Sequence, residues 1–141
     1  MVDVTDKATT ARVAVATGVV RTTAEVMSLL ASNGLKKGDA IATARIAGIM
    51  GAKRTPDLIP LCHPIAISGV TVDFSLEETE VRITATVKTA DRTGVEMEAL
   101  TAVSVAGLTI HDMIKAVDPA AVLDAVRVER KEGGKTGVWT R

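Results

Sequence analysis

Apolar and polar positions alternate with period two through the middle of the chain. Val70, Val72, Phe74 and Leu76 are separated by Thr71, Asp73 and Ser75. After Glu77, Glu78 and Thr79, the residues Val81, Ile83, Ala85 and Val87 alternate with Arg82, Thr84, Thr86 and Lys88. That period belongs to strands with one buried face, so the stretch predicts an antiparallel hairpin. The Val- and Ala-rich residues 12–21 predict an earlier strand. Thr22-x-x-Glu25 reads as a capping box opening a helix with Val26, Leu29 and Leu30 on its apolar face, stopped at Asn33-Gly34.

Asp39 predicts the cap of a second helix, running to about Arg54 and full of small residues. Gly48 and Gly51 each cost about 1 kcal/mol relative to Ala in a helix, which close packing against another backbone would offset. Pro56, Pro60 and Pro64 make residues 57–64 an ordered loop, too apolar to float in solvent. Residues 94–117 carry a long helical pattern that ends at Asp118-Pro119. Val126-Arg127-Val128 starts a last short strand, and Gly133-Gly134-Lys135-Thr136-Gly137 is a basic glycine loop.

The order β, two helices, β, β, helix, β predicts an α+β fold. It is a ferredoxin-like antiparallel sheet with helices packed on one face and one additional helix. Residues 1–141 read as a single domain. With 47% hydrophobic residues, the free sheet face is expected to need cover, which oligomerisation would supply economically.

Charge narrows the partners. Lys and Arg balance Asp and Glu at 17 each, and the aromatics are Phe74 and Trp139. A neutral chain with almost no stacking surface argues against nucleic acid and against an anionic membrane surface. Its one cysteine, Cys62, forms no intrachain disulfide and supports no thiolate-rich zinc site. The acidic start lacks a signal-peptide pattern and no apolar run spans a bilayer, so a cytoplasmic protein is expected.

Candidate chemistry lies in a few places. Asp112 and Lys115, three apart on the long helix, share a face. They read either as a surface ion pair or as an acid–base pair. The negative helix end would raise the carboxyl's proton affinity and the lysine would lower it, which leaves the net sign open. Glu96 and Glu98 either complement the helix dipole or accept hydrogen bonds from a guanine-like ring or a sugar hydroxyl. His63 is either structural or able to hold phosphate and move protons. Cys62 reads as a small buried hydrophobe. Lys37, Lys53, Lys131 and Lys135 could surround an anion, although a solvated basic turn at Lys135 fits equally well.

Together, several strings resemble one family. They are Lys37-Gly38-Asp39; Ala42-Thr43-Ala44-Arg45-Ile46-Ala47-Gly48-Ile49-Met50 with Lys53-Arg54-Thr55; and Leu58-Ile59-Pro60-Leu61-Cys62-His63-Pro64. Thr93-Gly94-Val95-Glu96-Met97-Glu98-Ala99-Leu100-Thr101-Ala102, Asp112-Met113-x-Lys115-Ala116-Val117 and Gly133-Gly134-Lys135-x-Gly137 complete the set. Across nearly the whole chain they are similar to the cyclic pyranopterin monophosphate synthases of molybdenum cofactor biosynthesis.

The resemblance implies a lyase acting on a 3′,8-cyclised dihydro-GTP, forming a cyclic phosphate and releasing pyrophosphate. It implies catalytic Asp112 and Lys115. It also implies substrate contacts from Leu61, Cys62, His63, Met97 and Glu98, and active-site lysines at Lys37, Lys53 and Lys131. Glu96 and Lys135 join them from the residue reading. A homohexamer is implied, a trimer of dimers with the site at the dimer interface. No cofactor or metal site is expected, although Mg²⁺ at the pyrophosphate fits the chemistry. His111 departs from the family, standing where an aromatic residue is expected. A nucleotide-binding sensor or an oligomerisation module without turnover is the competing reading.

Overall fold

The computed structural model describes residues 1–141. Strand β1 (Thr10–Arg21) is followed by helices α1 (Ala24–Ala31), α2 (Ala40–Lys53) and the single turn α3 (Thr55–Leu58). The predicted hairpin is β2 (Ile67–Leu76) and β3 (Glu80–Asp91). Helix α4 (Glu96–Ile114) leads to β4 (Val122–Glu132) and β5 (Trp139–Thr140). The sheet order is β2-β3-β1-β4-β5 and every neighbour is antiparallel. This is the α+β, ferredoxin-like layout expected from the order of elements.

Period two sorts the strands' side chains. Ala14, Ala16 and Val20 of β1, Val72 of β2, and Val81, Ile83, Ala85 and Val87 of β3 are buried in one cluster with Ala44 and Ala52 of α2 and Ala102, Val103, Ala106, Ile110 and Ile114 of α4. The small residues of α2 perform the close packing their composition predicted. A Cβ on Gly48 would sit 2.9 Å from the Ala102 carbonyl oxygen. Lys37, just before α2, touches the end of α4, so the two helices run antiparallel.

Four local expectations change. Thr23, not Thr22, caps α1, accepting from the Val26 N–H at 3.2 Å. Thr22 follows β1 instead: its N–H pairs with the Thr79 carbonyl, and its hydroxyl donates to Asp118 Oδ2 at 2.7 Å. The expected loop at residues 57–64 begins inside a helical turn, with Pro56 in the first turn where no N–H is needed. Strand β5 was not foreseen. Strand β4 has 11 residues and begins at Val122, four residues before the expected start at Val126. Two register shifts against β1 interrupt its alternation, and Ala125 takes a φ of 53° beside one of them. Leu123, Val126, Val128 and Lys131 therefore all face the helices, at spacings that no strict period predicts.

The free sheet face is mixed. Val13, Val15 and Val19 lie there with Thr84, Thr86, Lys88, Arg82 and Arg127, and the Thr17 hydroxyl donates to Glu129 at 2.7 Å. Exposed apolar side chains occur on both layers: Ile46 is 59% and Leu108 61% exposed on the helices, and Val122 52% on the sheet. No helix is long and apolar enough to cross a membrane.

Candidate active site

The prolines and the α3 turn fold residues 59–65 back over the start of α4. This closes a cleft of about 320 Å³ lined by Leu61, Cys62, His63, Thr93, Gly94, Glu96, Met97 and Glu98, among others. The two strings singled out as substrate contacts thus meet in space. Glu98 is 2% exposed. Burial pushes its carboxyl up, its own backbone N–H opposes this, and Glu96 adds to it. Burial, and then Glu98, also push the Cys62 thiol up, which keeps it protonated and suits a packing role.

A raised carboxyl favours the folded state while protonated. That contribution is present below the unfolded value and is lost as pH rises through the folded one. Glu98→Gln is therefore expected to melt higher than wild type near neutral pH, with the difference closing under acid. Equal melting temperatures at neutral pH would show that Glu98 is accommodated as an anion.

A second cleft, of about 160 Å³, adjoins the first and shares Thr93, Gly94 and Glu96. Its lining includes Lys7, Arg12, Arg92, Lys131 and Lys135, so cations outnumber the carboxylates of Glu96 and Glu132. Lys131 Nζ lies 3.0 Å from Glu96 Oε1. Arg12 donates to the carbonyls of Asp91 at 2.9 Å and Arg92 at 3.2 Å, tying β1 to the loop before α4. Gly133 and Gly134 have φ of 96° and 72° and run against Arg12. Side chains would both strain that backbone and fill the space.

Lys7, Arg12 and Arg92 were missed from sequence. Arg12 did carry a signal. It has the parity of Ala14, Ala16 and Val20, so its charge sits on the buried face of the strand.

The third group lies at the far end of α4. Asp112 Oδ1 is 2.7 Å from Lys115 Nζ, and Asp112 Oδ2 is 2.7 Å from Lys37 Nζ. Lys37 also donates to the Asp112 carbonyl at 3.0 Å. Hydrogen bonds from Lys115 and then Lys37 hold the carboxyl at about 2. The lysines outweigh desolvation, the one opposing cause, and the net direction is downward. A carboxylate with so little proton affinity is a poor base but a firm anchor for the two lysines.

One subunit does not unite these groups. Glu98 and Asp112 lie on one unbroken helix, 14 positions apart, a rise of about 21 Å. Lys53 ends α2 at the α4 N-terminal side, exposed and outside both clefts. No cluster of three or more His, Cys, Asp or Glu side chains is placed to hold a metal ion.

The chain matches the MoaC family over residues 1–134. It is 65% identical over 141 residues to cyclic pyranopterin monophosphate synthase 2 of Mycobacterium tuberculosis (strain ATCC 25618 / H37Rv), covering 100% of this chain and 84% of that protein. A cyclic pyranopterin monophosphate synthase of Streptomyces coelicolor is 66% identical over 141 residues, covering 100% and 83% respectively. One from Corynebacterium efficiens is 61% identical over 140 residues, covering 99% and 90%.

Proposed function

The chain belongs to the MoaC family, and from that premise we propose that it is a cyclic pyranopterin monophosphate synthase of molybdenum cofactor biosynthesis. It is a lyase that converts (8S)-3′,8-cyclo-7,8-dihydroguanosine 5′-triphosphate to cyclic pyranopterin monophosphate and pyrophosphate. The observation that carries this reading is identity of 65% along all 141 residues to a protein of that name.

The two joined clefts support a division of labour. The guanine-derived ring lies against Leu61, Cys62, His63, Met97 and Glu98, and the triphosphate lies among Lys131, Lys135, Arg12 and Arg92. A sugar hydroxyl attacks the α-phosphorus, the bond to the β-phosphate oxygen breaks, and pyrophosphate leaves into the cations. Glu96 holds Lys131 in place beside the leaving group. Lys115 is the proton carrier, with Asp112 fixing its position and Lys37 fixing Asp112.

The Asp112 group reaches this substrate from a second copy of the chain. The exposed apolar residues of α2 and α4, Ile46, Met50 and Leu108, offer a surface for that contact. The reading extends to a hexamer built as a trimer of dimers, working in the cytoplasm, with no resident cofactor in the chain. A divalent cation on the triphosphate would enter with the substrate.

The test is incubation with the cyclised dihydro-GTP, followed by measurement of pyrophosphate and of the cyclic phosphate product. Stoichiometric formation of both is expected. Tight binding without pyrophosphate release would favour the sensor reading.

Substrate binding should also weaken as salt rises, because the contacts are charge pairs within reach of screening. Gln at Lys53, Lys131 or Lys135 should raise KM. The effect should be largest at Lys131 and Lys135, which line the cation cleft. Salt-independent binding, or three variants with wild-type KM, would place the phosphates elsewhere.

A further inference from the structure

Lys131 reaches the anion cleft because of a defect in its strand. Val128 pairs with Ala16 and Lys131 with Ala14, both inward positions of β1, so the two inward residues of β4 are three apart where alternation requires two. The register shift between Val15 and Ala16 leaves Glu129 as the additional residue. A bulge of this kind re-aims the side chains that follow it. With strict alternation onward from Val128, Lys131 would point to the free face of the sheet, away from Glu96.

Arg141 holds the carbonyls at that defect. Its backbone N–H donates to the Glu129 carbonyl at 2.9 Å, and its Nε donates to the Val128 carbonyl at 3.0 Å. Its guanidinium lies 5.6 Å from the centre of the Trp139 ring. Trp139 and Thr140 pair as β5 with Lys131 and Arg130. The residues between Lys131 and Trp139 form the glycine loop that carries Lys135 into the same cleft. Arg141 and β5 therefore close both ends of the segment that presents Lys131 and Lys135.

We propose that Arg141, with Trp139, is a positioning clasp for the phosphate cleft: it fixes the β4 bulge and the Lys135 loop, and so sets affinity for the pyrophosphate part of the substrate. The proposal rests on the reading of this cleft as the triphosphate site. Arg141 touches no reacting atom. Its loss should act through binding rather than through the chemical step, because its contacts are to the β4 carbonyls and the Trp139 ring and not to Lys115 or Asp112.

Trp139 is the only tryptophan and the chain has no tyrosine, so intrinsic fluorescence reports on the clasp directly. Wild type, Arg141→Ala and Arg141→Lys are compared by acrylamide quenching of that fluorescence, by titration with inorganic pyrophosphate, and by steady-state kinetics. Arg141→Ala should quench more readily, bind pyrophosphate about five- to tenfold more weakly, on the scale of one net hydrogen bond, and raise KM by a similar factor with kcat nearly unchanged. Arg141→Lys keeps the charge but loses the Nε donor, and should resemble Arg141→Ala.

Freer quenching with wild-type pyrophosphate affinity would overturn the proposal. Unchanged quenching would also overturn it, since the clasp would not depend on Arg141. Full rescue by lysine would reduce the residue to a distant charge and overturn it as well. If wild type itself binds no pyrophosphate, the phosphate reading of the cleft falls, and the clasp falls with it.

Discussion

A folded Lys115→Met protein should release pyrophosphate about 10²–10⁴-fold more slowly than wild type, the scale set by removal of one acid–base group. Both lysines of the far group bond the Asp112 carboxylate, whose titration at about 2 leaves it ionised at every pH where the protein would be assayed. Asp112→Asn should lose activity on a similar scale for a different reason. An amide keeps the shape but not the charge, so Lys115 loses its anchor and its ammonium is misplaced.

Stability should change little, because both side chains are about half exposed and exposed pairs contribute weakly. Near-wild-type turnover in folded Lys115→Met protein would remove Lys115 from the chemistry. Near-wild-type turnover in folded Asp112→Asn protein would show that Lys115 works without that anchor.

The second large effect is recovery of activity from inactive parts. Glu98→Ala removes the buried carboxyl of the larger cleft and Asp112→Asn removes the charge that holds Lys37 and Lys115, so each protein alone should be nearly inactive. They are unfolded, mixed in equal amounts and refolded. If every site takes Glu98 from one copy and Asp112 from the other, half of randomly assorted dimers carry both variants. Each mixed dimer regains one intact site of two, so about a quarter of wild-type activity should return, given a closed twofold pair.

The structural reason for expecting this is distance. The unbroken helix from Glu96 to Ile114 keeps the two groups about 21 Å apart in any one subunit. A nucleotide-sized ligand would bridge them only with difficulty. Two such helices packed antiparallel bring the opposite ends together. Return of no activity, with subunit exchange confirmed by mass, would mean that each subunit carries its own site.

Much of this protein was legible along its chain. Strict alternation from Val70 to Val87 was enough for the hairpin, because burial of one face imposes period two on a strand. Asp39 and the glycines of α2 announced the helix start and a close contact with some other backbone, because a cap and a missing Cβ act over one or two residues. The strings around Leu61-Cys62-His63 and Met97-Glu98 identified the cleft walls, and the same strings carried the likeness to the synthases.

Tertiary structure decided the rest. The length of β4 depended on two bulges, which arise from its register against β1 and leave no period in the sequence. The cation cleft needed Arg12 from the first strand, Arg92 from the loop before α4 and Lys131 from the last strand, which only the β3-β1-β4 order makes neighbours. The sign of the Asp112 shift needed Lys37, 75 residues away along the chain, because a charge acts through space and not along sequence. Periodicity and caps are properties of neighbouring residues, so a single chain displays them. Bulges, convergent charges and proton affinities depend on groups that meet only after the sheet has chosen its strand order.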